Sequence, residues 1–272
     1  MCELLAMSSS QPERLNFSLH VLALHSGDMG SLHDGWGVAF YQGNDVALFR
    51  EPNAAENSPL VKFLETKGPM TTLAISHIRH ATRGALHLSN TQPFTRELGG
   101  RMHVFAHNGD LPGILCLGSS GKSTQKLGAT KPVGQTDSEY AFCELLTRLT
   151  DLWNADNPPS IEARLSLISV FAADLRELGP ANFLYADGDA LFAHGHKRLN
   201  QATGHAESPG LWMLQHHCPH KEEFPTGQSG MSIKPIEQAL LLIASVPLSS
   251  DTWTPLAEGE IIVVQGGEVI RQ

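Results

Sequence analysis

The second residue of the chain is a cysteine, in the run Met1-Cys2-Glu3-Leu4-Leu5. A small side chain after the initiator methionine favours its removal, which would leave one residue carrying both a thiol and a free α-amine. Their unperturbed pKa values are about 8.5 and about 8. A nucleophile and its own general base would then share one residue, with no separate triad. Four further stretches place polar chemistry at the edge of apolar runs. Leu73 to Arg79 reads as a strand that runs into His80-Ala81-Thr82-Arg83-Gly84. The Arg79 guanidinium offers paired donors suited to a carboxylate, and Gly84 lets a loop fold over a ligand. Met102 to His107 reads as a second buried strand, ending in Asn108-Gly109-Asp110. Asn-Gly is a common hairpin turn pair; an Asn amide beside a Gly N–H is also a two-donor oxyanion hole. Asp137, in Gly134-Gln135-Thr136-Asp137-Ser138-Glu139, is either a helix cap or a ligand-facing carboxylate. Asp34-Gly35-Trp36-Gly37 puts two glycines around a tryptophan, a pattern for backbone that comes close to a neighbour.

The elements that must position these residues follow from periodicity. Glu3 to Met7 is a short buried strand. A turn at Ser8–Ser10 with Gln11-Pro12 is expected next, with Ser10 capping a helix whose apolar face is Leu15, Leu19, Leu22 and Ala23. Gln42-Gly43-Asn44-Asp45 predicts a hairpin turn, and Leu60 to Leu64 a short helix. Asn90 to Phe94 reads as polar turn, and Gly113 to Gly134 as a long exposed loop. Phe142, Leu145, Leu146 and Leu149 form a helical stripe after the Thr136/Asp137 cap, with Glu139 as half of a capping box. Ile161 to Leu178 predicts another helix. Strands then recur over Ala181–Ala186, Ala190–His194, Leu211–Gln215, Ala239–Ser245, Glu260–Gln265 and Glu268–Ile270. Strands, two helices and strands again, without βαβ alternation, predict an α+β fold of two packed antiparallel sheets with helical layers.

Composition narrows the function classes. The chain has 272 residues and a net charge of −9. That balance disfavours nucleic acid, whose backbone demands basic neutralisation, and anionic membrane surfaces. No run approaches the ~18 apolar residues that span a bilayer. Cys2, Cys116, Cys143 and Cys218 are widely spaced, as in a reducing compartment, and no signal sequence is recognisable; a cytoplasmic protein is expected. Gly118 to Ser123 fails the phosphate-loop spacing, because Cys116 stands where the first glycine belongs. His216-His217-Cys218-Pro219-His220 matches no standard zinc spacing, so no metal is expected.

The order Cys2, Asp34-Gly35-Trp36-Gly37, Arg79 to Gly84, His107-Asn108-Gly109 and Thr136-Asp137-Ser138-Glu139 resembles the class II glutamine amidotransferases, which are N-terminal-nucleophile (Ntn) amidohydrolases. The small stand-alone YafJ-type members are the most similar, through Asn90-Thr91-Gln92-Pro93-Phe94, Thr136 to Cys143 and the late Ala244 to Leu248 and Trp253 segment. The resemblance covers the whole chain as a single domain, residues 1–272, with Met1 removed. It implies a four-layer αββα sandwich. It implies that the Cys2 thiolate attacks the γ-amide of glutamine, forming a γ-glutamyl thioester and releasing ammonia, and that water then gives glutamate. Asn108 and Gly109 match the oxyanion hole. Arg79 matches the residue that holds the substrate carboxylate, Asp137 the one that holds its ammonium, and Thr82 a neighbouring contact. Gly35, Trp36 and Gly37 would pack beside the nucleophile. No cofactor is implied.

The sequence departs from the larger synthases at His80, Arg83 and Gln92, all expected in the loop that closes over glutamine. No residues are left for a second catalytic domain. Ammonia would therefore pass to a separate synthase. Alternatively the substrate is a γ-glutamyl amide or peptide, held by the same Arg79/Asp137 pair, or the fold is kept by an inactive binding or regulatory protein.

Overall fold

A computed structural model describes residues 2–14, 16–17, 34–80, 85–114, 127–153, 157–200, 203–218, 231–232 and 238–271. Its main elements are β1 (Glu3–Arg14), β2 (Trp36–Gln42), β3 (Asp45–Glu51), α1 (Pro59–Lys67), β4 (Met70–Ile78), β5 (Phe94–Leu98) and β6 (Arg101–Gly109). These are followed by α2 (Asp137–Leu149), α3 (Ile161–Arg176), β7 (Ala181–Ala186), β8 (Leu191–His194), β9 (Trp212–Cys218), β10 (Gln238–Ala244), β11 (Thr254–Pro255), β12 (Ile261–Gln265) and β13 (Glu268–Arg271). One sheet has the order β11-β9-β10-β1-β4-β2-β3 and the other β13-β12-β8-β7-β6-β5. Every pairing in both is antiparallel.

Alternation along the strands builds the layers. Leu4, Ala6, Ala39, Tyr41 and Ile75 of the first sheet meet Val104, Ala106, Leu184 and Ile262 of the second in a buried interface. The opposite parity of the first sheet, Leu5, Met7, Val38 and Phe40, packs with Val61 and Leu64 of α1. That of the second, Phe105, Phe183 and Phe192, packs with Phe142, Leu145, Ile168 and Phe171 of α2 and α3. Each such fully buried side chain contributes about 1.5–3 kcal/mol. The result is helix, sheet, sheet, helix: the expected αββα sandwich. Arg164 of α3 pins its layer from below the surface, reaching Asp187 at 2.8 Å while only 1% exposed.

Parity also aims the site. Leu4 and Ala6 face the second sheet, so Cys2 sits on that same side and Glu3 on the other. Val104 and Ala106 face the first sheet, so Asn108 does too, while His107 turns toward the helices.

Several local expectations need correction. The chain does not turn at Ser8–Ser10. β1 continues to Arg14, pairing Ser8 with Leu73 and Glu13 with Thr71, and its register shifts between Ser8 and Glu13. That irregularity accommodates Pro12, which cannot donate to a ladder. Ser10 accepts from Ala239 N at 3.1 Å and so serves a neighbouring strand, not a helix. The helix expected after Ser10 is overturned at its start, because residues 11–14 belong to β1 and Asn16–Phe17 pair as a strand with Met231–Ser232; positions 18–33 lie outside the described residues, as do positions 115–126 of the Gly113–Gly134 loop. Phe94, read as turn, begins a strand. Thr136 caps α2 by accepting from Glu139 N at 3.2 Å. Glu139 does not complete a box; its carboxylate takes Val133 N at 3.0 Å, Gly134 N at 2.6 Å and the Arg96 guanidinium.

Candidate active site

One cleft, with an empty volume of about 420 Å³ that includes open solvent, lies at a common end of both sheets. Cys2, Arg79, His80, Asn90, Gln92, His107, Gly109, Thr136, Asp137 and Ser138 line it. Four of them arrive from a strand end or a helix start: Cys2 just before β1, Arg79 just after β4, Gly109 closing β6, Asp137 opening α2.

Cys2 is half-buried. Its Sγ lies 3.3 Å from His80 N, which donates to it, and 3.4 Å from the His80 carbonyl. Burial pushes the thiol up from its ordinary value, and the His80 N–H pulls the other way. The backbone around it is tied on both sides. Leu4 N donates to Ser245 Oγ at 2.9 Å, and Ser245 N donates back to Leu4 O at 3.1 Å. Glu3, wholly buried, meets the Arg198 guanidinium through both carboxylate oxygens, one of them at 2.9 Å.

Asn108 is a strand residue paired with Asn182, so the hairpin reading of Asn-Gly does not apply. Its side-chain amide crosses between the sheets, donating to Cys2 O at 2.6 Å and to Ser245 Oγ at 3.5 Å. Asn182 Nδ2 donates to the Asn108 carbonyl at 3.2 Å, fixing the strand beneath it. Gly109 is a close-approach glycine: a Cβ there would stand 1.8 Å from Pro180 O and 2.8 Å from His107 Nε2.

Arg79 is 4% exposed. Its backbone N–H donates to Gly35 O at 2.8 Å, and its Nη1 reaches Ala85 O at 3.4 Å. Asp137 is held by three donors: Leu111 N to Oδ2 at 2.9 Å, and Ser138 N at 2.8 Å and Ser138 Oγ at 3.3 Å to Oδ1. The N-terminus of α2 adds a favourable field for its charge. Asn90 joins the two loops that bound this side, donating to Ala85 O at 3.0 Å and accepting from Gln135 N at 2.8 Å.

Cys2, Arg79, Gly109 and Asp137 thus converge on the cleft, and Asn108 touches Cys2 directly. Thr82 and Arg83 lie outside the described residues. Gly35, Trp36 and Gly37 are not among the residues lining the cleft. β4 separates their strand from β1. A Cβ on Gly37 would meet Gln92 O at 2.4 Å, so these glycines admit the Thr91–Pro93 segment. Trp36 is buried in the outer core, with its indole N–H on Glu51 at 3.0 Å. Gln92 is not a lid residue alone. Its amide continues the β6 ladder, taking His107 N at 2.6 Å and giving to His107 O at 3.1 Å. Ser138, Ser245 and Asn90 are site residues that periodicity did not single out. Among the described residues no cluster of His, Cys, Asp or Glu could hold a metal; the side chains of His216, His217 and Cys218, and all of His220, lie outside them. No described helix is long and apolar enough to cross a membrane.

Comparison with known proteins follows the same outline. The family model for class II glutamine amidotransferases matches residues 1–272. YafJ of Escherichia coli (strain K12) is 34% identical over 261 residues, 96% of each chain. An amidophosphoribosyltransferase of Methanothermobacter thermautotrophicus is 31% identical over 116 residues, 42% of this chain and 23% of its own. Among solved structures, a predicted glutamine amidotransferase from Pseudomonas aeruginosa PA01 superposes over the full length of both chains, with a TM-score of 0.69 and 32% identity. The glutamine phosphoribosylpyrophosphate amidotransferase of Bacillus subtilis shares the fold, with a TM-score of 0.59 at 16% identity, over 98% of this chain and 48% of that one.

Proposed function

The chain belongs to the class II glutamine amidotransferases, and from that premise we propose that it hydrolyses the γ-amide of glutamine with Cys2 as nucleophile, acting as one domain after loss of Met1. The observation that carries this reading is the convergence of thiol, guanidinium and carboxylate on one cleft. A zwitterionic amino-acid head needs one cation and one anion set apart from the scissile carbonyl. Arg79 and Asp137 supply them.

The thiol needs help. Burial pushes its pKa up, so at neutral pH it is mostly protonated and a base must take the proton. The α-amine of a processed Cys2 is that base. The sulfur then attacks the amide carbon, and the electron pair moves onto oxygen. The Asn108 amide and the Gly109 N–H stabilise that oxyanion. Collapse expels ammonia, with the proton returned from the α-ammonium, and leaves a γ-glutamyl thioester. Water adds to the thioester to give glutamate and free thiol. Ammonia passes to a separate synthase.

A second reading keeps this machinery but takes a γ-glutamyl amide or peptide as substrate. It is favoured by the opening of the cleft to solvent, which leaves room for a larger leaving amine. Purified protein offered L-glutamine and γ-glutamyl peptides in parallel separates the two by whether ammonia or an amine is released. Intact mass is expected to show Met1 absent, and Cys2→Ala to abolish release. Release that survives Cys2→Ala, or full activity with Met1 retained, would refute the mechanism.

A further inference from the structure

His107 lines the cleft on the side of Asp137, yet the mechanism above gives it no part. It is 1% exposed, and its ring stacks on Phe105 at 6.5 Å between centroids, among apolar neighbours of the helical layer. Its Nδ1 lies 2.9 Å from Ser138 Oγ, and that hydroxyl lies 3.3 Å from Asp137 Oδ1. Its Nε2 is buried on the side of the Pro180 carbonyl, short of full hydrogen-bond geometry.

We propose that His107 and Ser138 form a relay that orients the Asp137 carboxylate, making His107 a positioning residue for recognition of the substrate α-ammonium. The inference rests on the role given to Asp137 above.

The relay has one direction. Ser138 has one hydroxyl proton, and a carboxylate can only accept. In the proposed arrangement the hydroxyl donates to Asp137 and the ring donates Nδ1–H to Ser138 Oγ. Nε2 then carries the lone pair, and the tautomer with Nε2–H on the Pro180 carbonyl is the alternative that the variants below test. Charging the ring would place an N–H there. Burial opposes this and pushes His107 down from its ordinary value; Asp137, Asp110 and the Pro180 carbonyl only partly offset it. The relay thus stays neutral and leaves the full negative charge on Asp137 for the ligand. An aromatic hydrocarbon would fill this position beside Phe105 without burying a ring nitrogen. What the histidine adds is the Nδ1 donor. Leu111 N holds one carboxylate oxygen of Asp137 and Ser138 the other, so the hydroxyl donor helps to fix how the carboxylate is turned.

The test reads affinity, in a Cys2→Ala background where no turnover intervenes. L-Glutamine and its des-amino analogue glutaramic acid are titrated by calorimetry. Ser138→Ala keeps the backbone donor to Asp137 and is expected to weaken L-glutamine about 5- to 10-fold, the range of one net hydrogen bond, while glutaramic acid changes less than about twofold. His107→Phe should do the same. His107→Asn, which can still present a donor near the Nδ1 position, should bind L-glutamine within about threefold of the background protein. Equal weakening of both ligands, or no weakening of L-glutamine, overturns the relay while leaving the proposed function standing. Failure of the background protein to bind L-glutamine at all overturns the proposed function and the relay with it.

Discussion

Gly109→Ala is the sharpest probe of the oxyanion assignment, because its effect can be worked from distances. An added Cβ would lie 1.8 Å from Pro180 O and 2.7 Å from Pro180 C, whereas an ordinary contact begins near 3.4 Å. About 1.6 Å (3.4 − 1.8) must therefore open between the end of β6 and the segment entering β7. Both sides are backbone, so no rotamer change absorbs it. The Gly109 N–H moves with its Cα, away from the carbonyl oxygen it is proposed to stabilise. Loss of one oxyanion donor costs ~10²–10³ in turnover, and a 1 Å misplacement costs ~10²-fold. The expected outcome is a kcat for ammonia release lowered about 10²- to 10³-fold, with a smaller rise in KM through His107, whose Nε2 lies 2.8 Å from the new Cβ. Gly43→Ala is the control. Its φ of +65° strains a side chain, but nothing lies within 4 Å of the new Cβ. That change should cost ~1 kcal/mol of stability and leave kcat alone. A Gly109→Ala protein that melts with the control and turns over at the wild-type rate would refute the oxyanion role. A defect confined to KM would do so equally.

Arg79→Ala removes charge-assisted donation to a carboxylate and should raise KM for glutamine by at least about 10- to 100-fold, the range of one charged hydrogen bond at ~1.5–3 kcal/mol. kcat should fall less than about fivefold, and equal loss in both parameters would count against a ground-state clamp. Arg164→Met strands Asp187 as a buried charge; breaking such a pair costs ~3–5 kcal/mol, so melting should drop by about 5–10 °C, and an unchanged midpoint would contradict the pinning of α3. Acid should destabilise the fold through His77, His103 and His194, held by burial at about 3, about 4 and about 3. Below the unfolded value near 6.5 the unfolded chain takes up protons that the fold refuses, so stability is intact above ~6.5 and is lost as pH falls. By pH 5 three groups each ~1.5 units down cost about 6 kcal/mol together. The buried carboxyls of Glu3 and Asp187, pushed upward, offset part of this, leaving a few kcal/mol. Urea midpoints at pH 7 and pH 5 measure it, and equal midpoints would contradict it.

What could be read from the sequence was what strand ends advertise. Arg79 and Asn108 each close an apolar run, and such edges stand out against the hydrophobic pattern. Asp137 was legible as a helix start, with Thr136 taking the cap and leaving the carboxylate for the cleft. The glycines at 35 and 37 correctly announced close approach, but not its partner, because Thr91–Pro93 is brought there by the sheet. Pro12 and its serines carry turn chemistry, and pairing with β4 and β10 overrides it. Gln92 reads as loop polarity, whereas it stands in for a missing strand residue beside His107. Ser138 and Ser245 lie in stretches that carry the resemblance, but no local pattern gives either serine a role. Their roles arise from partners 31 and 137 residues away, and a serine is too common for its type to single it out.

The site divides along the same physical line. Cys2, Asn108 and Gly109 belong to two sheets, and their separation is set by strand register and by the buried interface between Leu4, Ala6, Val104 and Ala106. β1 lies inside its sheet, with β10 on one side and β4 on the other, so Cys2 cannot shift far without moving paired strands. Arg79, Asn90 and the approach to Asp137 instead lie where strands give way to loops, and a few side-chain hydrogen bonds hold them. On the roles proposed above, chemistry would be tied to paired strands and recognition to the loops at their ends. Substitutions that disturb sheet register near the cleft should therefore appear in kcat, and those that loosen the 85–90 and 134–136 segments in KM. One core would then support different γ-glutamyl substrates through changes in those segments alone.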